Sequence, residues 1–496
     1  MRKPKLLSHV ITLTLGAMCA TAVHAADLTL YVDSATGQIF AEPGPNRVLM
    51  GTFRPVDAQA PAAQAATAPA SASAPASGSD IAQLESRIVD SEQKIASLEA
   101  RNADSSRSPF TSRFSLRGYL QTRHTVMLGG DEGVNLWSDR SVGDDQSLGD
   151  ADKNFLIRRA RLVFQGDVGE RLSFYIQPDL ASSAGTTGNV AQMRDAYGDV
   201  YLTTDRVHRV RVGQSKVPYG WENMQSSSNR LALDRVDSMN SAVRDERDLG
   251  AFYYYTPRHV QALFDEINSS GLKHSGNYGM VGFGFYNGQG ANRGDRNDNE
   301  HVVARVSYPW QLESGQIIEA GIQAYSGKYV PTTGAYRDAS NASVTPTIAN
   351  EFLGGFTDER VGVSFIWYPQ PFGLQAEWNW GTSPQLDLAS NSIVEEDIQG
   401  GYVQTMMKLD TRAGTFFPFV KWQYFDGANK AETNAPANDV NDWELGVEWQ
   451  VASELELAAI WHRMKRTNLV TGNRSGRPDY EQFEADALRV QLQYNY

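Results

Sequence analysis

From Arg113 to the end of the chain, apolar and polar residues alternate in one segment after another, and this pattern constrains the fold more than any other feature. Segments of this kind occupy residues 114–120, 172–177, 361–367, 374–380, 443–449 and 487–496. A period of two indicates β-strands with one apolar and one polar face. About sixteen such segments follow one another, as in strands that separate lipid from a water-filled lumen. The sequence therefore predicts an all-β fold, a transmembrane antiparallel β-barrel of about 16 strands over residues 110–496.

The links between these segments alternate in length, as in a barrel with short turns on one side and long loops on the other. Short links, predicted to be periplasmic turns, lie near 167–170, 204–206, 369–371, 410–414 and 451–453. Long polar links, predicted to be external loops, lie at 127–153, 217–247, 327–356, 381–398, 427–439 and 466–482. One link, 257–276, is long for a turn. A secreted β-sandwich also has period-two strands, but the last alternating segment stops on the aromatic Tyr496, which favours a barrel.

Four segments precede the predicted barrel. Residues 1–25 have the basic start, the apolar run and the small-residue cleavage site of a secretory signal peptide, which predicts export. Residues 26–56 contain a short N-terminal β segment, and residues 57–79 form an Ala/Pro/Ser linker that cannot bury a core. Residues 80–104 carry about three heptads and predict a short coiled-coil helix that joins several chains, with a frayed surface helix as the alternative.

Composition and charge exclude several classes of function. The only cysteine, Cys19, lies in the predicted signal peptide, so the mature chain has no disulfide, thiolate metal site or cysteine nucleophile. Removal of residues 1–25 takes away three positive charges and changes the formal charge from −13 to −16, which argues against nucleic acid as a partner. The acidic run 295–300 is interpreted as a solvated loop. Since no catalytic constellation stands out, we predict no enzyme activity, no cofactor and no bound metal.

Charged residues on the lumen-facing parity are segregated along the chain. The basic ones in the N-terminal half are Arg117, Arg123, Arg159, Arg161, Arg209, Arg211 and Arg305. The acidic ones in the C-terminal half are Glu319, Glu377, Glu444, Glu448 and Glu456. We predict that the arginines line a pore and guide anions, because the guanidinium fork suits carboxylate and phosphate. The alternative is that they are neutralised within the wall, with Asp199 facing Arg211 and Asp179 facing Arg159. Arg158 has the opposite parity and is expected to snorkel.

The link 217–247 is the candidate constriction loop. It carries Arg230, Arg235, Arg244 and Arg247 among several aspartates. A long loop with its own charges can fold into a barrel and narrow it. The alternatives are that it caps the outside or covers a subunit boundary.

Several motifs resemble the family of phosphate-selective porins O and P. The strand-to-loop run at 210–220, Val-Arg-Val-Gly-Gln-Ser-Lys-Val-Pro-Tyr-Gly, is similar to a family signature, and so is the second strand around 155–162. Further similar runs lie at 285–290 and 302–306. The resemblance implies a sixteen-stranded trimeric porin whose third external loop folds inward, here the link after Lys216, with basic residues guiding small anions. The N-terminal linker and coiled coil also resemble extensions of related trimeric porins for organic acids.

These observations lead to one main functional hypothesis and one alternative. The main hypothesis is a porin in the outer membrane of a Gram-negative bacterium, through which phosphate or organic acids diffuse passively. The resemblance implies that this porin is a homotrimer. Its partners are then the lipid bilayer and small anionic solutes. The alternative is a structural tether whose barrel is plugged or weakly conducting.

Overall fold

The computed structural model describes residues 28–33, 39–40, 47–53, 113–131, 134–136, 138–139, 142, 153–184, 187–338, 342–470 and 479–496. The predicted signal peptide (1–25), linker (57–79) and coiled-coil helix (80–104) lie outside these residues. Near the N-terminus, strand β1 (Leu28–Asp33) pairs in antiparallel fashion with both β2 (Ile39–Phe40) and β3 (Arg47–Phe53). These three strands form a small sheet that belongs to a different compact unit from the rest of the described chain.

The larger unit is a closed antiparallel barrel of sixteen strands, which confirms the predicted fold. The first eight barrel strands are β4 (Phe114–Gly130), β5 (Lys153–Asp167), β6 (Leu172–Ala184), β7 (Thr187–Tyr201), β8 (His208–Lys216), β9 (Arg247–Tyr255), β10 (Val281–Tyr286) and β11 (His301–Gln311). Strand β12 (Ile317–Tyr329) follows, and a small hairpin of β13 (Tyr336–Arg337) and β14 (Ser343–Val344) lies in the next loop. The remaining strands are β15 (Phe356–Trp367), β16 (Phe372–Asp387), β17 (Ser392–Met407) with its short continuation β18 (Leu409–Thr411), β19 (Gly414–Ala428), β20 (Ala437–Ala452), β21 (Leu455–Val470) and β22 (Asp479–Asn495).

The barrel closes where β22 pairs with β4. The Gly118 N–H donates to the Tyr496 carbonyl at 2.7 Å, and the Tyr496 N–H donates to the Gly118 carbonyl at 3.0 Å. A Cβ on Gly118 would lie 2.3 Å from the Arg161 carbonyl and 2.7 Å from the Tyr496 ring. Glycine is therefore the residue that allows the last aromatic ring to cover this closing pair of strands.

The two faces of the wall differ as the alternation predicts. Outward residues such as Leu116 and Val212 are 62% and 54% exposed, whereas inward residues such as Gln121 and Arg123 are fully buried. Apolar side chains thus cover the outside, and polar side chains fill the inside, which is the arrangement of a wall between lipid and a polar lumen. Among the described residues, no helix is both long and apolar enough to cross a membrane.

A β-bulge corrects the predicted orientation of Arg158. Gln121 pairs with Arg159 while the next residue, Thr122, pairs with Ile157, so Arg158 is the extra residue of β5. A bulge turns two successive side chains to the same side of the strand. Arg158 consequently reaches inward, where its Nη2 donates to Asp234 at 3.1 Å, and it does not snorkel.

The link predicted at 381–398 is not a long loop. Strands β16 and β17 remain paired from Phe372↔Met407 to Asp387↔Ser392, and only residues 388–391 join them. The polar composition of this stretch suggested a loop. A hairpin that projects beyond the membrane-facing apolar band contacts water on both faces, so both faces are polar. Period-two alternation is lost there, although the backbone stays extended.

Two links of the barrel contain helices and matter for its interior. We call residues 217–246, between β8 and β9, the inner loop; it contains the short helices α1 (Trp221–Met224) and α2 (Asp237–Asn240). We call residues 256–280, between β9 and β10, the turn insertion; it contains α3 (Arg258–Ser269). The inner loop begins at the rim that carries the long links, and the turn insertion begins at the rim that carries the short turns and Tyr496.

Candidate functional site

The inner loop lies inside the barrel and is almost entirely buried. At its start, the Trp221 and Glu222 backbone N–H groups donate to the Glu377 carboxylate of β16 at 2.6 and 2.7 Å. The Glu222 carboxylate in turn pairs with Lys421 of β19 at 2.6 Å. Asp237 further along pairs with Arg466 of β21 at 2.9 Å. The loop is therefore attached to several different strands and narrows the lumen.

Asp234 is the main electrostatic anchor of the inner loop. Its carboxylate accepts from Arg123 at 2.8 Å and from Arg158 at 3.1 Å, and it lies 3.8 Å from Arg159. It also pairs with Arg489 of β22. Predicted pore residues Arg123 and Arg159 are thus used to hold the loop against the wall, and they are not free to meet a solute.

Glu246 is a second anchor, at the end of the inner loop. It pairs with Lys216 at 3.1 Å, Arg230 at 2.9 Å, Arg235 at 3.1 Å and Arg247 at 2.7 Å. Burial alone would raise the pKa of Glu246, but the surrounding cations, Arg235 first, hold this pKa well below its ordinary value. One carboxylate therefore offsets part of the charge of three arginines that the sequence assigned to the constriction loop.

The structure changes the predicted positions of two arginines of the constriction loop, Arg247 and Arg244. Arg247 is the first residue of β9 and belongs to the wall, since it pairs with Lys216 of β8 in the strand register. Arg244 stays in the loop and donates to the Ala431 carbonyl at 2.5 Å, with its side chain about a quarter exposed. It is directed to the link between β19 and β20 instead of the centre of the lumen.

The wall arginines pair with carboxylates on neighbouring strands. Arg211 forms two hydrogen bonds with Asp199, at 2.8 and 2.9 Å, as the register predicted, and stacks on Tyr197 with its guanidinium carbon 3.7 Å from the ring centre. The prediction that Asp179 faces Arg159 is wrong. Asp179 pairs with Arg161 at 2.7 Å, because the turn that joins β5 and β6 sets Asp167 opposite Ser173, which differs by two residues from the predicted register.

Two further predicted arginines hold the turn insertion. Arg209 donates to the Asn277 carbonyl at 2.9 Å, and Arg305 donates to the Gly279 carbonyl at 2.9 Å. Arg305 also pairs with Glu319 at 3.2 Å. Both arginines therefore fix an element that enters the lumen from the turn rim.

A cavity of about 710 Å³ lies between the N-terminal half of the wall, the inner loop and the turn insertion. Among the described residues, its cationic lining side chains are Arg117, Arg161, Arg211, Lys216 and Arg247. Its acidic lining side chains are Asp195 and Glu456, and its tyrosines are Tyr119, Tyr175, Tyr197, Tyr278 and Tyr496. The carboxylate partners of Arg161 and Arg211 lie behind the lining, so the surface of the cavity presents mainly cations.

Arg117 differs from the other cations of the cavity. It is exposed, and it has no carboxylate partner within the described part of the chain. Its guanidinium carbon lies 6.0 Å from the ring centre of Tyr175, on the neighbouring part of the wall. Arg117 is therefore the predicted site residue best placed to meet an anion with its full charge.

Sequence reasoning missed Lys216 and the role of the acidic wall. Lys216 lines the cavity and is the last residue of β8, within the family-like run at 210–220, so the residue was visible in the sequence but its orientation was not. Glu319, Glu377 and Glu448 act as anchors for the inner loop and the turn insertion. Within the described residues, no group of three or more His, Cys, Asp and Glu side chains is arranged to hold a metal ion.

Solved structures of several outer-membrane channels are similar to this one. The outer membrane channel DcaP of Acinetobacter baumannii is 15% identical, with 77% of this chain and 97% of that chain covered and a TM-score of 0.45. An anion-selective porin from Comamonas acidovorans is 12% identical, with 77% and 99% covered and a TM-score of 0.46. No curated protein sequence matches the chain.

The family comparison is decisive. The model of the phosphate-selective porins O and P matches residues 133–496, which is most of the chain and nearly the whole barrel. A porin of this kind is an outer-membrane channel, so the turn rim is periplasmic and the loop rim external. The chain belongs to the family of phosphate-selective porins O and P.

Proposed function

We propose that this porin passes small anionic solutes, phosphate or organic acids, along the cavity beside the inner loop. The observation that carries the proposal is the lining of the cavity, where five cationic side chains outnumber two acidic ones among the described residues. A guanidinium binds planar carboxylates and phosphates with two parallel hydrogen bonds. An anion loses part of its water shell in the narrowed lumen, and the cationic side chains replace the lost water.

Most arginines of the cavity are paired with carboxylates, and this pairing favours passage of an anion over its tight binding. Arg211 already donates two hydrogen bonds to Asp199, and Arg161 donates to Asp179. Each cation therefore attracts an anion with less than its full charge. Conduction requires binding that is strong enough to admit the solute and weak enough to release it. A row of partly neutralised arginines, together with Arg117, which has no carboxylate partner in the described ranges, meets both requirements.

The test is the reversal potential of the purified protein in a planar bilayer under a potassium chloride gradient. A shift towards the chloride potential, with block by added phosphate or dicarboxylate, supports the proposal and ranks the two solute classes. A shift towards the potassium potential contradicts it, because the acidic residues of the lumen would then dominate the field.

A structural tether remains the second candidate function, and one observation favours it. The lumen is filled from both rims, by the inner loop and by the turn insertion. The same bilayer experiment distinguishes the candidates, since a protein that inserts but passes no current points to a tether.

We also propose that the porin is a homotrimer joined by the heptads of residues 80–104. The support is the spacing of apolar residues in that segment together with the family assignment. Ile88→Asp with Ile95→Asp is expected to convert trimers to monomers in mild detergent, as measured by light scattering. An unchanged mass would remove the coiled coil from the proposal.

A further inference from the structure

The turn insertion does not stay at the periplasmic rim. Helix α3 has an apolar face formed by Val260, Phe264 and Ile267, and this face is buried. It packs against Ile317 and Ile366, which face inward from the wall, and against Tyr368 in the turn after β15. It also packs against Trp221 of the inner loop. The helix therefore lies against the inside of the barrel and meets the inner loop there.

After α3 the chain crosses the lumen. Lys273 pairs with Glu448 of β20 at 2.5 Å. In the barrel order, β20 is eight strands away from β9, where the insertion begins, and eight strands are half of the circumference. The next residue, His274, accepts a hydrogen bond at its carbonyl from Asn229 of the inner loop at 2.9 Å. The chain then returns to β10 at Val281.

The contact with the far wall is a desolvated ion pair. The Lys273 and Glu448 side chains are 1% and 4% exposed. The Lys273 ammonium also lies 5.0 Å from the ring centre of Phe417 on β19. We call residues 270–280, between α3 and β10, the crossing segment. Removal of one partner of a buried pair leaves the other charge uncompensated, so the ion pair holds the crossing segment against β20.

The crossing segment also forms part of the cavity lining. Five consecutive lining residues, 274–278, belong to it, and Tyr278 contacts Tyr254 of β9 edge-on, with ring centres 6.1 Å apart. The path described above is thus bounded by the inner loop on one side and by the turn insertion on another.

We propose that the turn insertion is a second constriction element, which sets the width of the pore from the periplasmic side and is latched to the opposite wall by Lys273 and Glu448. The proposal concerns width and is independent of the proposed preference for anions. Conductance in potassium chloride measures it whichever ion carries the current, so a failure of anion selectivity leaves it standing.

The test is the single-channel conductance of the full chain in potassium chloride. Lys273→Ala and Glu448→Gln are each expected to raise the conductance about twofold and to increase its fluctuations, because the crossing segment is released from β20. The exchange Lys273→Glu with Glu448→Lys is expected to restore the wild-type value. Lys465→Ala, which removes an exposed lysine from the outer face, is the matched control and leaves the conductance unchanged.

A shortened variant gives an independent readout. Tyr255 pairs with Val281, so residues 256–280 can be replaced by a two-residue Asn-Gly turn that closes β9 and β10 into a regular hairpin. This variant is expected to conduct more than either point variant. Wild-type conductance in Lys273→Ala, Glu448→Gln and, where it folds, the shortened barrel overturns the proposal, and so does an exchange variant that conducts like Lys273→Ala.

Discussion

Arg117→Ala offers the cleanest test of how the cavity attracts anions. Arg117 is exposed in the cavity lining and has no carboxylate partner among the described residues, so its removal leaves no buried acid uncompensated. Arg211→Ala would instead free Asp199, and the loss of one positive charge would be confounded with the gain of one negative charge. The effect of Arg117→Ala is therefore the electrostatic contribution of a single cation.

The size of the effect follows from the volume of the cavity. A sphere of 710 Å³ has a radius of about 5.5 Å, which places an anion at its centre about that far from Arg117. At an effective dielectric constant between ~40 and ~80, a unit charge at that distance contributes about 0.8 to 1.5 kcal/mol. Screening at ~0.1 M salt, where the Debye length is about 10 Å, reduces this to about 0.4 to 0.9 kcal/mol. Arg117→Ala is thus expected to weaken block by phosphate about two- to fourfold.

The assay is the phosphate concentration that halves the chloride current in a planar bilayer, measured at low and at high salt. At ~1 M salt the Debye length is about 3 Å, so the difference between variant and wild type is expected to fall below about 1.5-fold. Arg412→Ala is the matched control, because Arg412 lies exposed in the turn between β18 and β19 and does not line the cavity.

Two results would refute this reasoning. Equal block of Arg117→Ala and wild type at low salt would mean that the solute does not pass this cavity. An effect that persists unchanged at ~1 M salt would mean that Arg117 acts by direct packing or hydrogen bonding, since a long-range charge effect is screened.

Three further outcomes follow from the same contacts. Asp234→Asn is expected to lower the free energy of unfolding by about 3 kcal/mol, the lower end for a broken buried pair because Asp139 remains beside two of its arginines; urea unfolding in detergent measures it, and an unchanged midpoint contradicts the anchoring role. Arg211→Lys keeps the charge but loses the two-pronged bond and the stacking on Tyr197, so phosphate block is expected to weaken while the reversal potential stays constant. Gly118→Ala places a Cβ 2.3 Å from the Arg161 carbonyl and is expected to lower the temperature at which the barrel unfolds in an electrophoretic shift assay; the wild-type temperature would show that the closing strands adjust freely.

The strands of the barrel were predictable because their signal is local. The alternation of side chains within a strand shows which residues face inward. The number of strands and the inward parity of Arg117 or Arg211 therefore follow from short stretches of sequence. Errors arose where the local rule is interrupted. The bulge at Arg158 moves one residue out of phase, and the hairpin of β16 and β17 continues where both of its faces are polar.

The charge pairs of the lumen were only partly predictable. Asp199 and Arg211 lie on adjacent strands joined by a short turn, so their pairing follows from the register. Asp234 and Glu246 lie in the inner loop, and nothing in the surrounding residues indicates which wall arginines they meet. Sequence reasoning therefore assigned Arg123 to the solute path, whereas Arg123 pairs with Asp234 and holds the inner loop.

The sequence by itself determined the class of fold, the approximate number of strands and the face on which most charges lie, because period-two alternation is a property of neighbouring residues. The tertiary structure decided which of those charges face the cavity and which are anchors, because that depends on loops that return from distant positions in the chain. The link after β9 illustrates the difference: its length was visible in the sequence, but its course across the lumen to Glu448 exists only once the barrel has closed and brought β20 opposite β9.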